Sequence, residues 1–148
     1  MKTYNIENFC DDILNNFKQK GIDDIELAIS KSKVLSVQTR KAKLENIQSS
    51  SGISITLNVI LGKKQATLSA NNLEDIRAID LLDQGKFMAE SSPDDPFAGL
   101  PNYDEYASTL ENLDLEDKYK LSESKLIDTA LQAENEMLNV DKVTNTEG

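Results

Sequence analysis

A chain of 148 residues with 26 acidic and 16 basic side chains has a net charge of −10, which leaves little to replace the counterions of a phosphate backbone and excludes nucleic acid as a partner. With no histidine, no tryptophan and a single cysteine, Cys10, it forms neither an internal disulfide nor a His/Cys zinc site, and every nucleophilic arrangement that needs imidazole fails. No apolar run approaches the roughly 20 residues of a membrane span, and the N-terminal stretch carries acids where a signal peptide carries bases, so a soluble cytoplasmic protein without membrane contact is expected.

In chain order, Ile6, Phe9, Cys10, Ile13, Leu14 and Phe17 recur at offsets of three and four, with Asn8, Asp11, Asp12, Asn15 and Asn16 opposite. The pattern predicts an amphipathic helix, capped by Asn5 or Thr3 and stopped at Gly21, which tolerates the left-handed conformation. Cys10 lies on the apolar stripe and reads as a small buried hydrophobe rather than a reactive thiol. From Ile25 the period changes to two. Ile25, Leu27 and Ile29, then Leu35, Val37 and Thr39, alternate with other residues, giving one long strand or two that meet near residues 30–33. Arg40, Lys41, Ala42 and Lys43 form a basic turn. It reads either as an anion site or docking point for an acidic partner, or as a solvated turn, and the lack of interleaved aromatics favours the plain turn. A weaker strand follows over residues 44–49, on which Glu45 is a functional acid in one reading and a solvent-facing residue in the plainer one.

Ser49, Ser50, Ser51 and Gly52 predict a turn. After it, Ile53, Ile55, Leu57, Val59 and Leu61 alternate with Ser54, Thr56, Asn58 and Ile60; Gly62-Lys63 interrupts, and Ala66 and Leu68 resume the alternation. That is a hairpin with one face in a core. Asn71-Asn72 with the following acids supplies a helix start, with Leu73, Ile76, Ile79 or Asp80, Leu82 and Phe87 on the apolar side and Gly85 weakening the end. All three prolines, Pro93, Pro96 and Pro101, then fall within nine residues and disfavour helix. This is an ordered loop anchored by Phe97, Leu100, Tyr103 and Tyr106, or an exposed linker. Residues 110–118 are acidic but lack the ligand register of an EF-hand, so no bound ion is expected. From Ser122 a third helix carries Leu126, Ile127, Ala130, Leu131, Ala133, Met137 and Leu138 on its apolar face. Residues 140–148 read as the approach to a further strand, as though the chain were cut before another domain.

The expected fold class is α+β, an antiparallel three- to four-stranded meander with helices before and after it packed on one face, plus a C-terminal trailing helix. Residues 1–90 are the expected domain core, 91–120 a proline-containing and acidic connecting segment, and 121–148 a helix leading toward a missing C-terminal domain. No glycine-rich loop is present to hold phosphates, and no residue stands out as catalytic, cofactor-binding or metal-binding.

The succession IELAISKSKVLSVQTRKAKLENIQSSSGISITLNVILGKKQATLSANNLEDI, the DPFAGL loop of residues 95–100 and the closing AENEMLNVDKVTNTEG together resemble the N-terminal domain of the TldD/PmbA family, on its PmbA-like (TldE) branch. The matching positions are the charged turn and glutamate from Arg40 to Glu45, the strand from Gly52 to Leu57, the Gly62-Lys63 turn, and the helix entry from Ala66 to Leu73. That entry reads Leu68-Ser69-Ala70-Asn71-Asn72 where the family more often has serine, threonine and aspartate, and asparagine preserves the capping chemistry. The resemblance covers practically the whole chain.

The resemblance implies a cytoplasmic zinc metalloprotease system of two paired subunits, the TldD-like one carrying an HExxxH motif and the PmbA-like one lacking it. It further implies cleavage of unfolded peptides, such as peptide antibiotic precursors and antitoxins. Zinc would sit in the partner subunit or complex, with no cofactor in this chain. The implied partners are a TldD-like subunit, the protein's own C-terminal domain and unfolded peptide. This chain carries over no catalytic or metal residue and alone is expected to have no peptidase activity. An alternative reading is a free-standing acidic peptide-binding or protein-interaction module that uses an exposed strand edge. A third is an oligomerisation domain acting through the helix of residues 122–139.

Overall fold

The structure, a computed structural model, describes residues 5–73, 76–109, 112–120 and 122–148. Helix α1 spans Ile6–Asn16. Asn5 stands at its N-cap, and Asn5 Oδ1 accepts the Asn8 amide at 2.8 Å, satisfying one of the donors that a helix start leaves free. Thr3 lies outside the described residues. Phe9 and Ile13 are fully buried, whereas Cys10 is half-buried and Leu14 is exposed. The buried stripe is therefore narrower than the spacing predicts. The chain leaves the helix through a turn ending at Gly21, whose φ is +72°.

Strands β1 (Asp24–Arg40), β2 (Lys43–Leu61) and β3 (Lys64–Ala70) form one antiparallel sheet in the order β1-β2-β3. β2 pairs with β3 from Ile55↔Ala70 to Leu61↔Lys64. The turn between them uses Gly62 at φ +58°, and its N–H donates to Asp23 Oδ2 at 2.7 Å. Ile55, Leu57 and Val59 alternate onto a single buried face, as the two-residue period requires. There they meet Phe9 and Ile13 of α1 and Leu81 and Leu82 of α2 (Ala78–Ser91) in one core, so both helices cover the same face of the sheet.

One expectation about the strands changes, and one alternative is decided. β2 runs unbroken through Ser49, Ser50, Ser51 and Gly52 where a turn is predicted, and of the two readings of residues 25–40 the structure has the single long strand, β1. Burial explains this. Residues 43–52 are all exposed, and a strand segment with neither face in a core has no need of alternation, so small polar residues fill it as readily as they fill a turn.

Helix α2 begins at Ala78, several residues after the Asn71-Asn72 signal, and Arg77 stands at its N-cap without a side-chain capping bond. Glu74 and Asp75 lie outside the described residues. The buried face of α2 is Ala78, Leu81, Leu82, Gly85 and Ala89, while Ile79 and Phe87 are exposed. Leu73 and Ile76 join the core from the segment before the helix. Gly85 is not a terminator but the point of closest approach to the sheet. A Cβ there would lie 2.6 Å from Val59 Cγ2 and 2.9 Å from Leu68 Cδ2. In the first turn, Arg77 Nε and Nη2 donate to Asp80 Oδ2 and Oδ1 at 2.7 and 2.6 Å. This hydrogen-bonded pairing holds the Asp80 carboxyl below its usual range and raises the guanidinium.

The proline loop that follows is fastened by polar contacts rather than by the four apolar anchors predicted. Phe97 and Tyr103 are 91% and 93% exposed, and Ala98 is the buried residue. Asp95 N donates to the Lys63 carbonyl at 2.6 Å, Gln65 Nε2 to Asp95 Oδ2 at 3.1 Å, and Lys63 Nζ to the Pro96 carbonyl at 3.1 Å. Helix α3 spans Glu123–Leu138, with the Ser122 hydroxyl at its N-cap accepting the Lys125 amide at 3.3 Å. The chain then meets the end of β1 in an antiparallel bridge, Arg40↔Glu147.

The chain divides into two compact units, residues 1–31 with 52–110 and residues 32–51 with 111–148. The first contains the core of α1, α2 and the sheet. The second consists of the distal hairpin of β1 and β2 with α3 and the C-terminal segment.

Candidate functional site

The second unit is organised around the turn between β1 and β2. Its two central residues, Lys41 and Ala42, have φ of +50° and +55°, the backbone of a type I′ turn that ordinarily takes asparagine and glycine. A residue with a Cβ is strained in this region by roughly 1–2 kcal/mol. The strain is held from outside the hairpin. Ala42 N donates to Glu134 Oε2 at 2.8 Å, and Lys41 N to the Thr146 carbonyl at 3.4 Å.

Glu134 on α3 is 1% exposed, and the sequence reading does not single it out. Its signal is an acid at offsets of three and four from Ala130, Leu131 and Leu138, inside the apolar stripe. Its other oxygen, Oε1, and the hydroxyls of Thr39 and Thr146 are buried with no hydrogen-bond partner among the described residues. Thr39 exchanges both backbone hydrogen bonds with Gly148, at 2.7 and 3.1 Å. With Lys41 opposite Thr146, the two threonines lie on one face of this short ladder. The buried polar groups therefore lie beside the turn, next to exposed cations. Arg40, Lys41 and Lys43 are exposed. Glu45 lies 3.9 Å from Arg40 Nη1, which makes it a partner of the turn rather than a poised acid.

The first unit holds a cleft of about 390 Å³ between the sheet, at Ile25, Glu26 and Asn58, and the proline loop, at Leu100, Pro101 and Tyr106. Apolar walls with a carboxylate, an amide and a phenol suit the reception of a side chain. No nucleophile with an adjacent base is among these lining residues.

The other residues singled out in the sequence do not converge on either place. Cys10 is half-buried on α1. Residues 112–118 of the acidic segment are exposed, and residues 110 and 111 lie outside the described ones. Among the described residues, no group of three or more Cys, Asp or Glu side chains is placed to hold a metal ion, and no helix is long and apolar enough to cross a membrane.

No family model matches the chain. Over 127 residues, 85% of the chain, it is 29% identical to the metalloprotease PmbA of Escherichia coli O157:H7. Over 124 residues, 83% of the chain, it is 25% identical to a metalloprotease PmbA homolog of Haemophilus influenzae. The chain spans 28% of the length of each of these relatives. Among solved structures, TldE from Thermococcus kodakarensis aligns with a TM-score of 0.65 over 88% of this chain and 30% of that one, at 18% identity. That likeness is one of fold.

Proposed function

The chain is similar to the N-terminal domain of the TldD/PmbA family on its PmbA-like branch, and from that premise we propose that it is a non-catalytic domain of a component of a cytoplasmic zinc metalloprotease complex. Its role in this reading is to pack against a C-terminal domain of the same protein and a TldD-like partner subunit, and to help enclose a chamber for unfolded peptides. Peptide antibiotic precursors and antitoxins are the substrate class, and zinc belongs to the partner subunit. Residues 1–90 serve as the core, 91–120 as the connecting segment, and 121–148 as the lead into the next domain.

The observation that carries this reading is the proline loop. Phe97 and Tyr103 stand almost fully exposed on a backbone fastened through Asp95 to Lys63 and Gln65. Large aromatics presented on a fixed loop are the anchors expected of a surface that another domain or subunit covers. The test is an assay of peptide cleavage by the chain alone and with a TldD-like subunit carrying the zinc motif. Cleavage only in the presence of that subunit is expected; chelator-sensitive cleavage by the chain alone would overturn the proposal.

A second reading, a free-standing acidic module that binds extended peptide, is favoured by the open strand edges of the distal hairpin. Reading the gene past Gly148 separates the two. Several hundred further residues without HExxxH support the PmbA-like component, and a stop codon with a stable monomeric product supports the module.

A further inference from the structure

The two compact units bury different things. Every buried apolar side chain among the described residues belongs to the first unit, from Phe9 and Ile13 to Ala98. In the second unit the described side chains that are buried are those of Thr39, Glu134 and Thr146, at 0%, 1% and 7% exposure, while Leu35, Val37, Leu131 and Leu138 are only half-buried. A polar centre is not what the hydrophobic effect builds. Burying a carboxylate or a hydroxyl without hydrogen bonds is costly, and native interiors rarely leave such groups unpaired. Glu134 Oε2 has the Ala42 amide, but Glu134 Oε1 and both threonine hydroxyls have no partner among the described residues.

The backbone brings these three groups to one place. In the ladder between the end of β1 and the C-terminal segment, Thr39 stands opposite Gly148 and Lys41 opposite Thr146, so Thr39 and Thr146 are diagonal neighbours on one face. Arg40 and Glu147 take the other face and are exposed. Glu134, the buried residue of α3, reaches the same end of the ladder, because its Oε2 accepts from Ala42, the residue after Lys41. Diagonal neighbours on one face stand about 7–8 Å apart at Cα and closer at their side chains. One oxygen bonded to two others at about 2.8 Å spans up to about 5.6 Å between them, which is the separation that a single bridging molecule covers.

We propose that Thr39, Glu134 and Thr146 bind one internal water molecule that joins β1, α3 and the C-terminal segment. Its oxygen accepts the protons of both hydroxyls, and one of its own protons goes to Glu134 Oε1. Those are three bonds to protein, the number typical of a buried water. The balance of donors and acceptors selects water over a cation. A sodium or potassium ion would take the same oxygens through their lone pairs and leave both hydroxyl protons without an acceptor, whereas water leaves none of the three groups unpaired. The site fastens residues 146–148 to β1 by a polar tie in a unit whose apolar side chains are only half-buried. It concerns groups within this chain alone and does not rest on the function proposed above.

A high-resolution crystal structure of the wild-type chain tests the site directly. The expected result is one water within about 2.6–3.2 Å of Thr39 Oγ1, Thr146 Oγ1 and Glu134 Oε1. Direct hydrogen bonds among the three groups, or a cation in place of the water, would overturn the proposal. Solution measurements test it independently. Urea unfolding of Thr39→Val, Thr146→Val and the double variant is expected to show coupling, because two hydroxyls that are not bonded to each other are joined through the water. The combined effect on the unfolding equilibrium constant should fall short of the product of the single effects by about threefold or more, and a full product counts against the bridge. Thermal midpoints of the wild type in sodium, potassium and choline chloride at equal ionic strength should coincide. A rise specific to sodium or potassium would assign the site to a cation and overturn the proposal. The crystallographic and salt measurements use the wild-type chain, so they decide the matter even where a valine variant fails to fold.

Discussion

Glu134 Oε2 accepts the amide proton of Ala42 at 2.8 Å, joining positions 92 residues apart. The bond fixes a turn that its own residues do not favour. Replacing Glu134 with alanine removes the acceptor for a backbone donor and leaves it unsatisfied, which costs about 1–3 kcal/mol. Glutamine keeps an acceptor for Ala42 and puts an NH₂ group where Oε1 now has no partner, so Glu134→Gln is expected to be nearly neutral. Urea unfolding measures both, and amide hydrogen exchange at Ala42 should quicken in the alanine variant and not in the glutamine variant. Equal behaviour of the two would show that the bond contributes nothing.

The strained turn gives a prediction of opposite sign. Ala42 holds φ +55°, where a Cβ is unfavourable and glycine is at ease. Ala42→Gly is expected to stabilise by about 0.5–1 kcal/mol, the relief of strain exceeding the entropy that glycine adds to the unfolded chain. The midpoint of thermal unfolding should rise. A fall would mean that the Ala42 methyl packs to more effect than its backbone is strained.

The elements were legible in the sequence wherever a segment has one face in a core. Ile55, Leu57 and Val59 announce a strand by their period, and Phe9 and Ile13 announce a helix, because burial imposes the period of the backbone on the side chains. The distal part of β2 has no such face, so its serines carried a turn signal that the long pairing with β1 overrides. The aromatic residues of the proline loop misled for a related reason. Size predicts burial only when a cover exists, and Phe97 and Tyr103 are exposed in this chain. Glu134 was hidden by its type, since a carboxylate reads as surface until the turn that it serves is placed beside it.

The loop contacts predict which residues hold it in place. Asp95 receives Gln65 Nε2 at 3.1 Å and the Phe97 amide at 2.9 Å through its side chain. Asp95→Ala should cost about 1 kcal/mol or more and speed proteolysis between residues 92 and 106. Phe97→Ala removes a side chain that is already in solvent and should leave stability within about 0.5 kcal/mol. The comparison fails if the phenylalanine variant is the more readily cleaved.

Asp80 offers a test in pH. Its carboxyl is held below the usual range chiefly by the hydrogen bonds from Arg77, so the folded state binds this proton less readily than the unfolded state does. The stabilisation is present above the unfolded carboxylate range and is lost as the pH falls through the lower, folded value. Asp80→Asn should therefore differ from the wild type most near neutral pH and converge with it in acid. Because the pair is exposed, the difference should be small and should shrink with added salt. A gap that widens on acidification would contradict the assignment.

Gly85 decides between two roles by the sign of one measurement. A glycine that merely weakens the end of a helix is improved by alanine, which gains up to about 1 kcal/mol from helix propensity. Gly85 instead lies on the buried face of α2, and an added Cβ would stand 2.6 Å from Val59 Cγ2 and 2.9 Å from Leu68 Cδ2. Leu68 can swing the end of its side chain aside. Val59 is fully buried and β-branched, with little freedom at χ1, so relief must come from moving α2 away from the sheet. Overpacking of this kind typically costs about 1–3 kcal/mol. Gly85→Ala is accordingly expected to lower the urea midpoint despite its better propensity. The double variant Gly85→Ala with Val59→Ala should recover part of the loss by opening the space that the new methyl needs, so that the two changes together cost less than their sum. Additive costs, or a midpoint that rises in the single variant, would return Gly85 to the role of a weak helix residue.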